Sequence, residues 1–320
     1  MLLLSAALLA AAEIVSAAAP AARELVASGP SGPLKGTLMP VADRKAPVVL
    51  IIPGSGPTDR DGNNPLGVKA APYRLLAEGL AAQGVASVRI DKRGLFGSAA
   101  AIPDPNAVTM DDYARDVQAW VDVIRADRDT RCVWVLGHSE GGLVALAAAA
   151  HYPEQICGLV LVATPGRPLA DVIKTQLQLN PANAPLLDTA NKLIDTLSAG
   201  KRVSADQVPA PLAPLFRPQI QGFLISAFAL DPAKLVAHFG KPVLILQGAR
   251  DIQVSVDDAQ RLKRADPAAT LTVLPDTNHV LKRVTSDDRG ANLAAYADPN
   301  LPLAPGVVEA VAGFVKSVPR

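Results

Sequence analysis

Short apolar runs alternate with helical stripes along most of the chain. Residues 46–53 read APVVLIIP, and similar runs follow at 85–91 (VASVRID), 132–137 (CVWVLG), 159–164 (LVLVAT), 242–248 (PVLILQG) and 271–274 (LTVL). Runs this short, rich in β-branched residues and bounded by turn formers, read as strands. The intervals 70–83, 110–126, 143–152, 256–265 and 307–315 read as helices. In the second of them Val117, Trp120, Val121 and Ile124 form one apolar stripe. Gly84 closes the first. Uninterrupted apolar strands separated by helices predict an α/β protein, with a mostly parallel sheet covered on both faces. Ahead of this core, residues 25–38 carry Gly/Pro punctuation and suit an antiparallel hairpin on the sheet edge.

One interval breaks the rhythm. Residues 166–241 hold helical patches (172–179, 186–197) and Pro-rich joints, but no convincing strand. A structureless loop of that length is improbable, so an inserted helical cap is expected. The division is then a core of 23–165 and 242–320, a cap of 166–241, and a leader of 1–22. Leu215, Phe216, Phe223, Leu224 and Phe228 in the cap either line an apolar pocket or pack the cap onto the core.

Composition narrows the function. The chain has 320 residues, 49% of them hydrophobic, with a net charge of +1 and only 4% aromatics. Such a balance gives no footing to nucleic acid or to an anionic membrane surface. Leu2–Ala12 is apolar but too short to span a bilayer, and Ala17-Ala18-Ala19 follows as a small-residue cleavage pattern. Export to the periplasm or beyond is the expectation, with no stable membrane span. A buried N-terminal helix is the alternative, because the segment lacks Lys and Arg ahead of its apolar run. Cys132 and Cys157 precede neighbouring strand runs and have no metal-ligand spacing. They form one disulfide or simply fill core.

The densest chemical signal is Gly137-His138-Ser139-Glu140-Gly141-Gly142, between the CVWVLG strand and an Ala-rich helix. A nucleophilic serine on a sharp strand-to-helix turn needs small neighbours, and Gly137 and Gly141 provide them. Ser139 is the candidate nucleophile; an ordinary helix N-cap serine is the rival reading. Its hydroxyl needs a base, and there are four histidines. His138 lies inside the turn and is expected to point away from the cleft. His151 ends a helix, and His238 precedes the fifth strand on the far edge. His279 follows the sixth strand at the carboxyl ends of the sheet, where open α/β sheets carry their sites. Asp251, after the fifth strand, is the candidate carboxylate that orients it; Asp257, Asp258 and Asp276 are competitors. The backbone N–H groups of Glu140 and Ser55 are the candidate oxyanion donors, with Gly56 in reserve for Ser55.

These segments together resemble the α/β-hydrolase superfamily. PGSGPTDRDGN, GHSEGG and QGARDIQV are similar to a bacterial esterase subgroup often grouped with serine aminopeptidases. RIDKRGLFGS (89–98) resembles that family's loop after the second core strand. The resemblance implies an α/β-hydrolase fold and hydrolysis of small-molecule carboxylic esters with short or medium acyl chains. The chemistry needs no cofactor or metal. An aminopeptidase or an acyltransferase would use the same triad, and a non-catalytic binding protein is the remaining rival. A haloalkane dehalogenase would need a carboxylate where Ser139 stands. The cap carries Asp but no Glu, which tilts the reading from peptides toward esters. Asp59, Arg60 and Asp61 are expected to brace the loop after the first core strand.

Overall fold

Eight strands form one sheet in the order β1-β2-β4-β3-β5-β6-β7-β8 in the computed structural model, which describes residues 21–104 and 106–318. The expected leader therefore lies almost wholly outside the described residues. β1 (Arg23–Ser28) and β2 (Pro33–Met39) pair antiparallel, as the punctuation of 25–38 predicts, and β2 runs antiparallel to β4. β3 (Val48–Ile52), β4 (Ala86–Ile90), β5 (Val133–His138), β6 (Ile156–Val162), β7 (Val243–Gly248) and β8 (Thr270–Leu274) are parallel to one another.

The helices are α1 (Pro72–Ala82), α2 (Met110–Arg128), α3 (Glu140–His151), α4 (Leu169–Gln178), α5 (Leu187–Ser198), α6 (Ala213–Phe216), α7 (Gln221–Phe228), α8 (Pro232–Phe239), α9 (Val256–Ala265), α10 (Arg289–Ala297) and α11 (Val307–Ser317). Local chemistry sets several of their starts. Thr109 and Asp112 form a capping box on α2, and Ser255 and Asp258 form one on α9.

Strand alternation sorts the core into two layers. Leu50, Ile52, Val133, Val135, Leu159 and Leu161 face α2 and α3, against Trp120, Val121 and Leu143. Val49, Ile51, Trp134, Leu136, Val160 and Val162 face the other way, against Leu76 and Leu80 of α1 and Val307, Val311 and Val315 of α11. Period-two alternation with both faces buried is why these strands read as continuous apolar runs. This is the α/β-hydrolase architecture that the sequence pattern implies.

Between β6 and β7 only helices and turns occur. α4, α5 and α7 share a core of their own, with Leu177, Leu193, Ile194, Leu197, Phe216, Leu224 and Phe228 inside it. Phe216, Leu224 and Phe228 therefore pack the cap. Phe223 is half-buried against the Tyr113 ring, and Leu215 is exposed. α8 differs from the sequence expectation of a cap ending at 241. It packs on α3 and α9, and its Val236 is buried in the main core. Being helical cannot by itself reveal which body a helix serves.

Cys132 and Cys157 are joined by a disulfide, which resolves the two alternatives for this pair. It links the approach to β5 with the start of β6, at the amino ends of the strands.

Candidate active site

In parallel strands every carboxyl end opens on the same sheet edge. β3 leads there into Pro53–Gly56, β5 into Ser139, β7 into Asp251 and β8 into His279. Topology alone thus gathers four segments that are distant in the chain.

Ser139 has φ 54° and ψ −124°, a backbone conformation that L side chains rarely adopt. It is held by its own N–H donating to the Val162 carbonyl (2.9 Å) and its carbonyl accepting from Gly142 (2.9 Å). The turn closes so tightly that a Cβ at Gly137 would lie 2.1 Å from the Gly141 carbonyl oxygen, and one at Gly141 would lie 2.5 Å from that of Ile52. This is the steric reason for both glycines. Ser139 occupies the N-cap position of α3, yet its hydroxyl makes no capping bond. The N-cap reading of the motif therefore fails, and the hydroxyl is left for other work.

The Asp251 side chain is almost wholly buried, and its carboxylate receives four hydrogen bonds. Oδ1 accepts from the N–H groups of Gln253 (2.8 Å) and Val254 (2.9 Å); Oδ2 accepts from Gln247 Nε2 (3.2 Å) and His279 Nδ1 (2.7 Å). Burial alone would raise this carboxyl, but the His279 charge and these hydrogen bonds outweigh it and hold it below its ordinary value. An ionised carboxylate only accepts, so Nδ1 of His279 carries the hydrogen of that bond and the other ring nitrogen, Nε2, is the one turned to other partners. The competitors are occupied elsewhere. Asp258 caps α9 and pairs with Arg167, Asp257 pairs with Arg261 and Arg264 at the surface, and Asp276 pairs with Arg283.

His138 does not point away, as the sequence suggested. It is buried, with its ring centroid 4.8 Å from that of His279. Its Nε2 lies 2.8 Å from the His279 carbonyl, and its Nδ1 2.8 Å from the Tyr73 hydroxyl. A carbonyl can only accept, so Nε2–H donates to it; Tyr73 O–H then donates to Nδ1 and accepts from Gly54 N–H (3.1 Å). Burial and the neighbouring His279 push the His138 ring down to about 3, so it is neutral. Every proton in this relay has one place, and the relay joins the His279 loop, the Ser139 turn and the β3 loop. Tyr73 gave no such signal in the sequence, because its partner is 65 positions away.

Two further residues went unseen. Asn292 on α10 donates through Nδ2 to the Arg250 carbonyl (2.7 Å), and its Oδ1 accepts from Asn278 Nδ2 (3.3 Å). It thereby ties the residue before Asp251 to the residue before His279. Tyr296, one turn on, accepts at its hydroxyl from Gln253 Nε2 (3.1 Å).

The remaining histidines stand apart. His151 is exposed at the end of α3, and His238 is exposed on α8, bonded to the Lys234 carbonyl. Ser55 and Gly56 are exposed beside the turn, and a Cβ on Gly54 would lie 3.3 Å from that of Ser139. Glu140 begins α3, so its N–H has no intrahelical acceptor. Among the described residues the Ser139 hydroxyl and the His279 ring form no direct hydrogen bond; such bonds are often long until substrate arrives. The charges of the β3 loop brace it: Arg60 forks onto Asp91, Asp61 pairs with Arg89, and Asp59 receives the N–H groups of Asp61 and Asn63.

A concavity of about 640 Å³ lies elsewhere, lined by Arg167, Asp171, Arg261 and Arg264 among others, and includes none of Ser139, Asp251 or His279. One of about 200 Å³ adjoins the acid loop, between Leu179 and Asn180 of the cap, Ile252, Gln253 and Arg289. Among the described residues no group of three His, Cys, Asp or Glu side chains is arranged to hold a metal ion.

Residues 66–283 match the family described as "Serine aminopeptidase, S33". Among curated proteins the chain is similar to "Esterase EstD" of Thermotoga maritima, 27% identical over 73% of this chain and 54% of that protein. It is also similar to "Lipase 3" of a Moraxella species, 24% identical over 58% of this chain and 63% of that one. The chain thus spans between about half and two thirds of these relatives' lengths. Est1E of Butyrivibrio proteoclasticus, solved with ferulic acid, superposes with a TM-score of 0.58 at 18% identity, covering 92% of this chain and 96% of that one. An esterase domain from a Rhodothermus marinus protein gives 0.55 at 16% identity, covering 93% and 99%. The matched residues and the sheet order agree: the chain belongs to the serine aminopeptidase family and has an α/β-hydrolase fold.

Proposed function

We propose that the chain is a serine hydrolase that cleaves small carboxylic esters through an acyl-enzyme. The observation that carries this reading is a strained, uncapped Ser139 on the sheet edge shared by a buried Asp251–His279 pair bonded at 2.7 Å. His279 Nε2 takes the hydroxyl proton as Ser139 Oγ attacks the carbonyl carbon. The oxygen of the tetrahedral adduct accepts from the N–H groups of Ser55 and Glu140. The imidazolium then protonates the leaving alcohol, and the acyl group stays on Ser139. Water, deprotonated by the same nitrogen, releases the acid. Asp251 holds the ring in the required tautomer and balances its positive charge without itself accepting the proton.

Ester rather than peptide cleavage is favoured by the relatives named esterase and lipase and by a cap without Glu. Short to medium acyl chains are proposed as the substrate class. A panel of p-nitrophenyl acyl esters against aminoacyl-anilides, on protein labelled or unlabelled by a fluorophosphonate, tests the reading. Ester turnover abolished by labelling supports it; anilide turnover exceeding ester turnover transfers it to the peptidase class. We propose further that the protein works outside the reducing cytoplasm, for which the Cys132–Cys157 bond is the support. Two free thiols titrated in denatured protein taken from cells would contradict that placement.

A further inference from the structure

The mechanism above leaves one motif unused, Asp91-Lys92-Arg93-Gly94 after β4. Asp91 and Arg93 are absorbed by structure: the first binds Arg60, and the second forks onto Asp116 at 2.7 Å through both Nε and Nη2. Lys92 is different. Its side chain is only 4% exposed, yet it spans no surface and caps no helix. Its Nζ donates to the Gly54 carbonyl at 2.7 Å, lies 3.6 Å from the Glu140 carboxylate and 5.6 Å over the Tyr113 ring. Two of these three neighbours are the residues flanking the proposed oxyanion pocket.

The geometry of a peptide unit gives this contact its meaning. The Gly54 carbonyl and the Ser55 N–H belong to one planar trans peptide and point to opposite sides of it. Whatever holds the carbonyl therefore aims the N–H. Glycine at position 54 would otherwise let that plane turn freely. Tyr73 grips the preceding N–H, so the segment is held on both sides by buried groups. We infer that Lys92 is a positioning residue: by holding the Gly54 carbonyl it turns the Ser55 N–H toward Ser139, and through Glu140 it keeps that peptide in register with the start of α3. This inference rests on the serine mechanism proposed above. Burial lowers the proton affinity of the Lys92 amine against the opposing pull of Glu140, but both the ammonium and the amine can donate to a carbonyl. Its role is thus one of aim and not of proton transfer.

The test uses Lys92→Met and, because the single variant strands Glu140 without a partner, the double variant Lys92→Met/Glu140→Gln, which removes both charges at similar volume. Turnover is measured on a p-nitrophenyl ester and on its thionoester, in protein shown to melt cooperatively. Sulfur accepts hydrogen bonds weakly, so the thionoester draws less on the pocket. Deleting a donor outright reduces kcat by about 10²–10³-fold, so a misaimed donor is expected to reduce kcat on the oxygen ester by about 10–100-fold. KM should stay within about twofold, the thionoester should lose far less, and the fractional loss should be the same at pH 6 and pH 9. Equal losses on both substrates, or unchanged kcat in a folded variant, overturn the inference. A Ser139→Ala protein that keeps its turnover in the same assay overturns instead the mechanism on which it rests.

Discussion

The two halves of the candidate site are built by different physics. The Ser139 turn is assembled within six consecutive residues, Gly137–Gly142, by steric closure between β5 and α3. The candidate acid and base are assembled across distance: Asp251 and His279 sit on separate loops, braced by Asn292 from α10 and by His138 from the turn itself. A site half of this kind tolerates little change in its glycines. The other half depends on side chains whose importance no local pattern announces. What unites them is the buried relay from Gly54 through Tyr73 and His138 to the His279 carbonyl.

The sharpest way to break this contrast is Ser139→Ala. The local half should lose its chemistry and keep its fold, so kcat should fall by about 10⁴–10⁶-fold with little change in Tm. A residual rate within tenfold of wild type would remove Ser139 from the mechanism. Gly137→Ala comes next. Its new methyl meets the Gly141 carbonyl, and a loss of about 3 kcal/mol is expected in denaturant melts; a neutral effect would mean that the turn is not sterically closed. Asn292→Ala probes the distant half. Releasing both loops should reduce kcat by about 10–100-fold with a small change in Tm, since an ångström of misplacement can cost that much. Unchanged kinetics would show that the Asp251–His279 pair holds itself.

The last expected effect is electrostatic and shows only as pH is varied. His138 is neutral in the fold, with its ring pushed down to about 3. The unfolded chain takes up a proton near pH 6.5, so stability falls with pH between about 6.5 and 3 by up to roughly 1.4 kcal/mol per unit, and this contribution is level below that window. Asp251, held low, acts in the same sense further down, since its stabilisation is lost as pH falls through its folded value. Melts of wild type and His138→Gln across pH 4–7 should diverge by this one-proton slope. Parallel curves would mean that the His138 ring binds its proton equally well folded and unfolded.

Much of this architecture was legible because its causes are local. Strands buried on both faces declare themselves as VVLII or VWVL, and the parallel order then places Ser139, Asp251 and His279 on one edge. α10 escapes pattern reading because its buried face is Asn292, Ala295 and Tyr296 while its one large aliphatic, Leu293, is exposed; its visible signal is Asp288, whose carboxylate accepts from the Ala291 N–H as an N-cap. With α10 went Asn292 and Tyr296. The orientation of His138 was misjudged because a residue inside a turn can face either way, and the deciding partners, Tyr73 and the His279 carbonyl, lie far off in the chain. α8 was grouped with the cap because Val236 is apolar whichever body it faces.

The backbone at position 139 carries one last implication. With φ at 54°, the residue best suited to that spot on conformational grounds alone is glycine. An engineer screening for heat tolerance without an activity assay would be drawn to Ser139→Gly, which on the proposed mechanism yields a sturdier protein without its nucleophile. If the proposed mechanism holds, the hydroxymethyl group at this position trades ruggedness for reactivity, and a single torsion angle records the exchange.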